Sequence, residues 1–378
     1  PKPGQGTGES LREALKEASP GELIRFAANL SGGSLWLDGK AITINKSVTI
    51  DAAPLPDRLI IDAQGASRVF EISGPNTVVL KGLRIVNGSA PTGAGILNDG
   101  STLTLSDCRL IENESSEQGG GLYNTNGGDV TASSGTVFDR NFSRDGGGIY
   151  NAASASFSVL GATFIRNQAF DGGGIYNQGA SLTINKASFS GNGAENAGGG
   201  IYNRATNGLI ENATFSQNSA AAGEGGAVSN NSQGSLTLRH CTIAANVGTG
   251  VFNGTDASLI LDNSIVSGNL DLNNDSYDFQ GSYTTVGANL LSNQNGSTHL
   301  DGPDPLTGNP LLGSFRSGIM PLLVGSPAID GGVVTSNTPS TDQQNSFRPH
   351  GPAPDLGAVE SRLSADVDLL WLTTSAGP

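Results

Sequence analysis

Little in this sequence announces chemistry. It holds only two cysteines and three histidines, and aromatic and charged residues make up 6% and 14% of its 378 residues. His240, His299 and His350 are scattered, and no Ser-His-Asp or zinc-ligand spacing surrounds them. No apolar run reaches the ~18 residues of a candidate membrane-spanning helix. Positive charge is scarce: 20 basic side chains stand against 34 acidic ones, a net charge of −14. That balance disfavours nucleic acid and anionic membranes, both of which require local positive potential. It also favours a neutral or cationic ligand over a polyanion, unless a metal bridges the two. The chain begins Pro1-Lys2-Pro3, which is compatible with an export signal removed by processing.

What the chain has in quantity is glycine, 55 residues of it. Such a load suggests low complexity, but apolar residues recur at fixed columns and argue for order. The motif Gly119-Gly120-Gly121-Leu122-Tyr123-Asn124 returns at Gly146–Asn151, Gly172–Asn177 and Gly198–Asn203, with weaker copies ending at Asn98, Asn230 and Asn253. Successive asparagines are 26, 27, 26, 26, 27 and 23 residues apart. A second motif lies between them, with Phe138, Phe164, Phe189 and Phe215 each three residues before an asparagine. Segments such as Ser181-Leu182-Thr183-Ile184 alternate polar and apolar residues, as half-buried strands do.

A period of about 26 residues with no helical periodicity inside it marks a solenoid of short strands. The expected fold is all-β: a single-stranded right-handed parallel β-helix, with three strands per coil. Equivalent residues of neighbouring coils then stand above one another. The phenylalanines form an internal stack extended by Leu110, Ile243 and Val266. Ile96, Leu122, Ile149, Ile175, Ile201, Val228 and Val251 form a second buried line. The asparagine columns become side-chain ladders that satisfy turn backbone groups. These columns specify the fold and receive no catalytic role.

The two cysteines, Cys108 and Cys241, fall in one column whose other members are Thr136, Ala162, Ala187, Ala213 and Ser264. Residues five coils apart in such a column are roughly 24 Å apart at strand spacing. A disulfide needs Cα atoms within about 7 Å, so two free buried thiols are expected.

The ends depart from the repeat. Ser10-Leu11-Arg12-Glu13 reads as a capping box that opens a short helix through Ala18 and plugs the N-terminal mouth. Residues 1–40 are therefore expected to form an N-terminal cap, 41–290 the β-helix, and 291–378 an irregular C-terminal cap and tail that includes Leu369-Leu370-Trp371-Leu372.

These repeats resemble those of bacterial right-handed β-helix repeat proteins in the pectate-lyase-like superfamily. The Gly-Gly-Gly-Ile-Tyr-Asn and Phe-x-x-Asn pairing is similar to repeats of chlamydial polymorphic outer-membrane proteins. Glu9-Ser10-Leu11-Arg12-Glu13-Ala14 resembles the Cys-Ser-Leu-Arg-Glu-Ala (CSLREA) motif, with Glu9 in place of the cysteine. Gly325–Asp330 and Asp355–Glu360 resemble the end of the choice-of-anchor group. The resemblance implies an exported or cell-surface protein. It covers adhesins and polysaccharide-cleaving enzymes alike, and fold does not choose between them.

Function must come from outward columns. Tyr123, Tyr150, Tyr176 and Tyr202 face out by alternation, giving either a strip able to stack on sugar rings or rings that stack on each other or under a loop. Before the glycine motif stand Gln118, Asp145, Asp171, Ala197 and Glu224. Asp145 and Asp171 would lie about 5 Å apart, a pair able to hold a cation, to raise one pKa for general-acid work, or to serve a retaining glycosidase. Asp171 and Glu224, at roughly 10 Å, fall just past the inverting range. Arg140 and Arg166, with Arg144 nearby, are the candidate cations of a lyase. The alternative is a solvated ridge with Arg–Asp pairing. The alternating oxygens of Asp271, Asn273 and Asp275 suggest Ca2+, without the glycine and distal glutamate of an EF-hand. No other cofactor is expected.

The leading expectation is a monomeric, non-catalytic, adhesin-like protein that binds a polysaccharide or cell-surface glycan along one face. The alternative is an extracellular polysaccharide lyase or glycoside hydrolase using Asp145, Asp171, Arg140 and Arg166. Coils of near-constant length leave little room for the long loops that build a substrate cleft.

Overall fold

The computed structural model describes residues 10–362, and the expected tail motif at Leu369–Leu372 and residue Glu9 lie outside them. The N-terminal helix spans Leu11–Glu17. Its capping box is complete: Ser10 Oγ accepts the Glu13 amide at 3.3 Å, and Glu13 Oε2 accepts the Ser10 amide at 2.8 Å. Leu11 and Leu15 point into the core of the first coil, so the helix closes the open end of the solenoid. The strands Glu22–Arg25 and Ser34–Trp36 already pair in parallel with Val48–Asp51 and Leu59–Asp62.

From there the chain winds as a parallel β-solenoid of roughly 26 residues per coil. Each central coil contributes three strands to three parallel sheets. The Ile-Tyr-Asn strands, such as Ile149–Asn151, pair with their copies in the coils above and below. The alternating strands, such as Ser156–Leu160, do the same. The phenylalanine strands, such as Thr163–Ile165, belong to a sheet of 11 strands. A short fourth strand adds a further sheet, through Glu114–Gln118, Gln168–Asp171, Gly193–Ala197 and Ser219–Ala220.

The register puts like residues above like. Phe138, Phe164, Phe189 and Phe215 stack with centroids 4.9, 4.6 and 4.6 Å apart and planes within 2, 3 and 5° of parallel. Leu110 continues the stack on one side, Ile243 and Val266 on the other. Burying each ring contributes about 1.5–3 kcal/mol relative to leaving it exposed. The line from Ile96 to Val251 is likewise fully buried.

Both asparagine columns are ladders. In one, each Nδ2 from Asn98 through Asn230 donates to the next Oδ1 at 2.8 Å, ending on Asn253. In the other, Asn113 through Asn246 link by Nδ2 to the next Oδ1 at 2.8–2.9 Å. That ladder finishes on a carboxylate, with Asn269 donating to Asp278 Oδ1 at 2.9 Å. Backbone amides join in, as Asn141 N donates to Asn167 Oδ1 at 3.0 Å. These bonds hold a turn whose preceding residue is left-handed without being glycine: φ is 51° at Arg140 and 53° at Arg166.

The glycine triplet is steric. Gly146 has φ 68°, and a Cβ on Gly147 would fall 2.4 Å from Gln168 O and 2.6 Å from Gly173 O in the next coil. Adjacent coils approach so closely there that only hydrogen fits. The cysteines behave as their column predicts: both are free and fully buried, and burial pushes each thiol up to about 12.

The irregular C-terminal segment does more than close the far end. After the last rungs, Leu290–Leu291 and Ser297–Asp301, it turns back along the outer face of the phenylalanine sheet. Asn263 exchanges two hydrogen bonds with Val333, Thr242 Oγ1 accepts the Ala358 amide, and Gln343 Nε2 reaches Ala187 O at 2.9 Å. Gly325–Asp330 and Asp355–Glu360 lie side by side in this strap, with the Asp330 amide on Asp355 Oδ1 at 2.8 Å. A buried ion pair, Arg348 Nε to Glu360 Oε1 at 3.2 Å, fastens it.

Candidate functional site

The residues before the glycine triplets form a true ladder. Gln118 bridges to Asp145, Asp145 to Asp171, and Ala197 to Glu224, while Asp171 pairs with Ala197. Asp145 and Asp171 are therefore neighbours on adjacent rungs, at the end of the short fourth strand. Burial raises the pKa of Asp145; Arg144, 4.0 Å away, pulls it back and Asp171 adds to the rise. Burial also raises Asp171, against hydrogen bonds from Asn196 Nδ2 at 2.8 Å and the Ala197 amide at 3.1 Å. Glu224 sits half-exposed one rung beyond Ala197.

The expected outward tyrosine strip is mostly covered. Tyr150 and Tyr176 are only 5% and 7% exposed, while Tyr123 and Tyr202 at the ends are half-buried. The rings cover one another: Tyr150 and Tyr176 stack at 4.7 Å and 9°, flanked by Tyr123 at 5.4 Å and Tyr202 at 5.0 Å. Their hydroxyls are tied down, with Tyr150 Oη donating to Gln178 Oε1 at 3.0 Å and Arg204 Nη1 donating to Tyr176 Oη at 3.2 Å. Burial raises the Tyr150, Tyr176 and Tyr202 phenols, the last to about 12, and the nearby Asp145 and Asp171 charges reinforce it. Strand alternation gave the right face, but rings about 4.8 Å apart have each other as their nearest partners.

The structure does not bring Arg140 and Arg166 to the aspartates. Both occupy the turn before the fourth strand. There Arg140 meets Glu112 at 2.8 Å, and Arg166 grips Asp139 with Nε at 3.1 Å and Nη2 at 2.9 Å. The cations acting on Asp171 are Arg204 and Arg144 instead. Arg204 was legible as the residue after Asn203, in the column that holds Gln178 one coil earlier.

Two further residues complete the surface. Phe142 and Phe170 are 49% and 45% exposed on the fourth strand, beside Asp145 and Asp171. Phe142 pairs in register with Gln168, two residues before Phe170. An outward phenylalanine in a polar stretch such as Asn141-Phe142-Ser143-Arg144-Asp145 was the available signal. The arrangement offers apolar ring faces and two hydrogen-bonding carboxyls, with the Arg144 guanidinium beside them.

The Asp271 loop closes on itself. Asp271 Oδ1 accepts the Asn273 amide at 2.8 Å and the Asp275 amide at 2.9 Å, the pattern of an Asx turn. Among the described residues no group of three or more His, Cys, Asp or Glu is placed to hold a metal ion. No helix among them is long and apolar enough to cross a membrane.

Residues 92–271 match the family model described as right handed beta helix region. No curated protein matches the chain. Among solved structures, the crystal structure of pectate lyase Pel9A is similar with a TM-score of 0.55 and 18% identity, covering 93% of this chain and 90% of that one. Coil geometry, repeat register and this likeness agree: the chain folds as a right-handed parallel β-helix, the fold it shares with that structure.

Proposed function

We propose that the protein binds a glycan along the fourth-strand face, without cleaving it, as an exported or cell-surface β-helix. The observation that carries this reading is the pair of half-exposed phenylalanines beside Asp145 and Asp171. Aromatic faces pack against the C–H face of a sugar ring, and carboxyl and amide groups take its hydroxyls. Arg144 and Glu224 flank the same face. The short, regular coils favour surface binding over an enclosed reaction cleft. Export rests on the motif resemblance of the repeats and of the strap.

The raised pKa of both aspartates favours one rival, a glycoside hydrolase with a protonated carboxyl as general acid. Incubation with neutral and uronate polysaccharides, followed by reducing-end and unsaturated-product assays, separates the two. Retention on a glycan that is lost in Phe142→Ala/Phe170→Ala, without product, supports binding. Turnover that disappears in Asp145→Asn or Asp171→Asn overturns the non-catalytic reading.

A further inference from the structure

The half-exposed rings of Phe142 and Phe170 stand in an acidic setting, and that setting selects among glycans. Glu114 bridges in register to Phe142 from the coil before, and Phe170 faces the Glu195–Asn196 bulge of the coil after. Glu114, Glu117 and Glu195 are exposed, and Glu224 is half-exposed two coils beyond Asp171. None of these glutamates forms an ion pair among the described residues. The nearby positive charge is committed: Arg144 lies 4.0 Å from Asp145, and Arg204 donates to the Tyr176 hydroxyl. From the Glu114 rung to the Glu195 rung, about 14 Å at strand spacing, the face around the rings therefore carries a surplus of carboxylates. Such a surface draws cationic groups and repels uronates.

Two features narrow the occupant further. A peptide that binds a sheet ordinarily adds a strand to a free edge, and the fourth strand offers none beside the rings. The Ser115 amide donates to Phe142 O at 2.9 Å, the Ser143 amide to Gln168 O at 3.2 Å and the Phe170 amide to Arg144 O at 2.6 Å, so neighbouring coils hold its backbone on both sides. The exposed rings also call for an apolar face in the ligand, which a pyranose ring has and a bare metal ion lacks. An ammonium group held over a ring face is attracted by it as well.

We propose that the fourth-strand face selects glycans carrying free amino groups, such as polymers of glucosamine, with Phe142 and Phe170 packing on sugar rings and Glu114, Glu117 and Glu195 receiving ammonium groups. This rests on the glycan-binding reading of the same face and names its ligand class. The test titrates the full chain by isothermal calorimetry, at slightly acid pH and at low and high salt. The probes are glucosamine hexamer, N-acetylglucosamine hexamer, cellohexaose, an oligogalacturonate and a lysine-rich peptide. At low salt the glucosamine hexamer should bind about ten-fold tighter than either neutral hexamer, and high salt should remove most of that advantage. Glu117→Gln/Glu195→Gln should weaken its binding about five-fold, the worth of two exposed ion pairs, with the neutral hexamers and the melting temperature unchanged. Phe142→Ala/Phe170→Ala should weaken all three hexamers. Neutral hexamers that bind as tightly as the glucosamine hexamer, and are lost in the phenylalanine variant, overturn the amino-glycan proposal and leave the glycan reading standing. Tighter binding of the oligogalacturonate or of the lysine-rich peptide also overturns it. Binding of no oligosaccharide at all overturns both readings.

Discussion

Replacing Asn167 with alanine should be among the most damaging single changes in the molecule. Its Oδ1 accepts both the Asn141 amide at 3.0 Å and Asn141 Nδ2 at 2.9 Å. Its own Nδ2 donates to Phe138 O at 3.0 Å and to Asn192 Oδ1 at 2.9 Å. All of these groups are fully buried, so water cannot replace the side chain. Truncation leaves the Asn141 amide without an acceptor and removes one partner each from Asn141 Nδ2, Phe138 O and Asn192 Oδ1. At about 1–3 kcal/mol for each buried group left unsatisfied, two to three such losses give roughly 2–9 kcal/mol. The left-handed turn at Arg166 loses its support in the same step. Urea denaturation followed by far-UV circular dichroism measures the change. Because coils interact only with their neighbours, the variant should also show a broader transition as the two halves uncouple. A loss below about 1 kcal/mol with an unchanged slope would refute the idea that the ladder specifies the turns.

Three further outcomes follow from the same physics. Burial holds the Asp278 carboxyl at about 6, against hydrogen bonds from Asn269 and Asn293. Its folded pKa exceeds the unfolded one, so its contribution is greatest at acid pH and falls as pH rises through about 6. Acidification from pH 7 to pH 5 should therefore add about 1 kcal/mol from this group, and thermal melts of Asp278→Asn should show a flatter pH slope. Cys108 and Cys241, buried with thiols pushed up to about 12, should resist iodoacetamide in the native protein and react fully in urea, as mass spectrometry would show. Arg348→Ala leaves Glu360 buried beside Asp355 without its cation. That change should cost about 3–5 kcal/mol of strap stability, visible as early proteolysis within residues 311–360 while the coils stay intact.

The coils were legible because a solenoid converts spacing along the chain into stacking in space. Once Phe138, Phe164, Phe189 and Phe215 recur at one period, their contact needs no further information. The same holds for the asparagine ladders, the capping box at Ser10 and the isolation of the cysteines. The fourth strand was not legible, because Glu114–Gln118 and Gln168–Asp171 carry no alternating apolar pattern; backbone register from the neighbouring coil makes them strands. The strap was hidden for a related reason. It has no repeat, and its attachment depends on pairings such as Lys186 with Asn345 that lie far apart in sequence. At the candidate site, the ladder of Asp145 and Asp171 followed from periodicity. The covering of Tyr150 and Tyr176 did not, since alternation names a face and says nothing of what lies over it. Arg166 misled for a local reason: its turn conformation aims the guanidinium at Asp139 rather than along the fourth strand.

Hydrogen–deuterium exchange with and without a retained glycan tests the central claim most directly. The account predicts added protection confined to the fourth-strand face, in peptides covering Phe142–Gly147 and Phe170–Gly173, with no product released. Protection that avoids these peptides, or an unchanged exchange pattern on a saturating glycan, would contradict it.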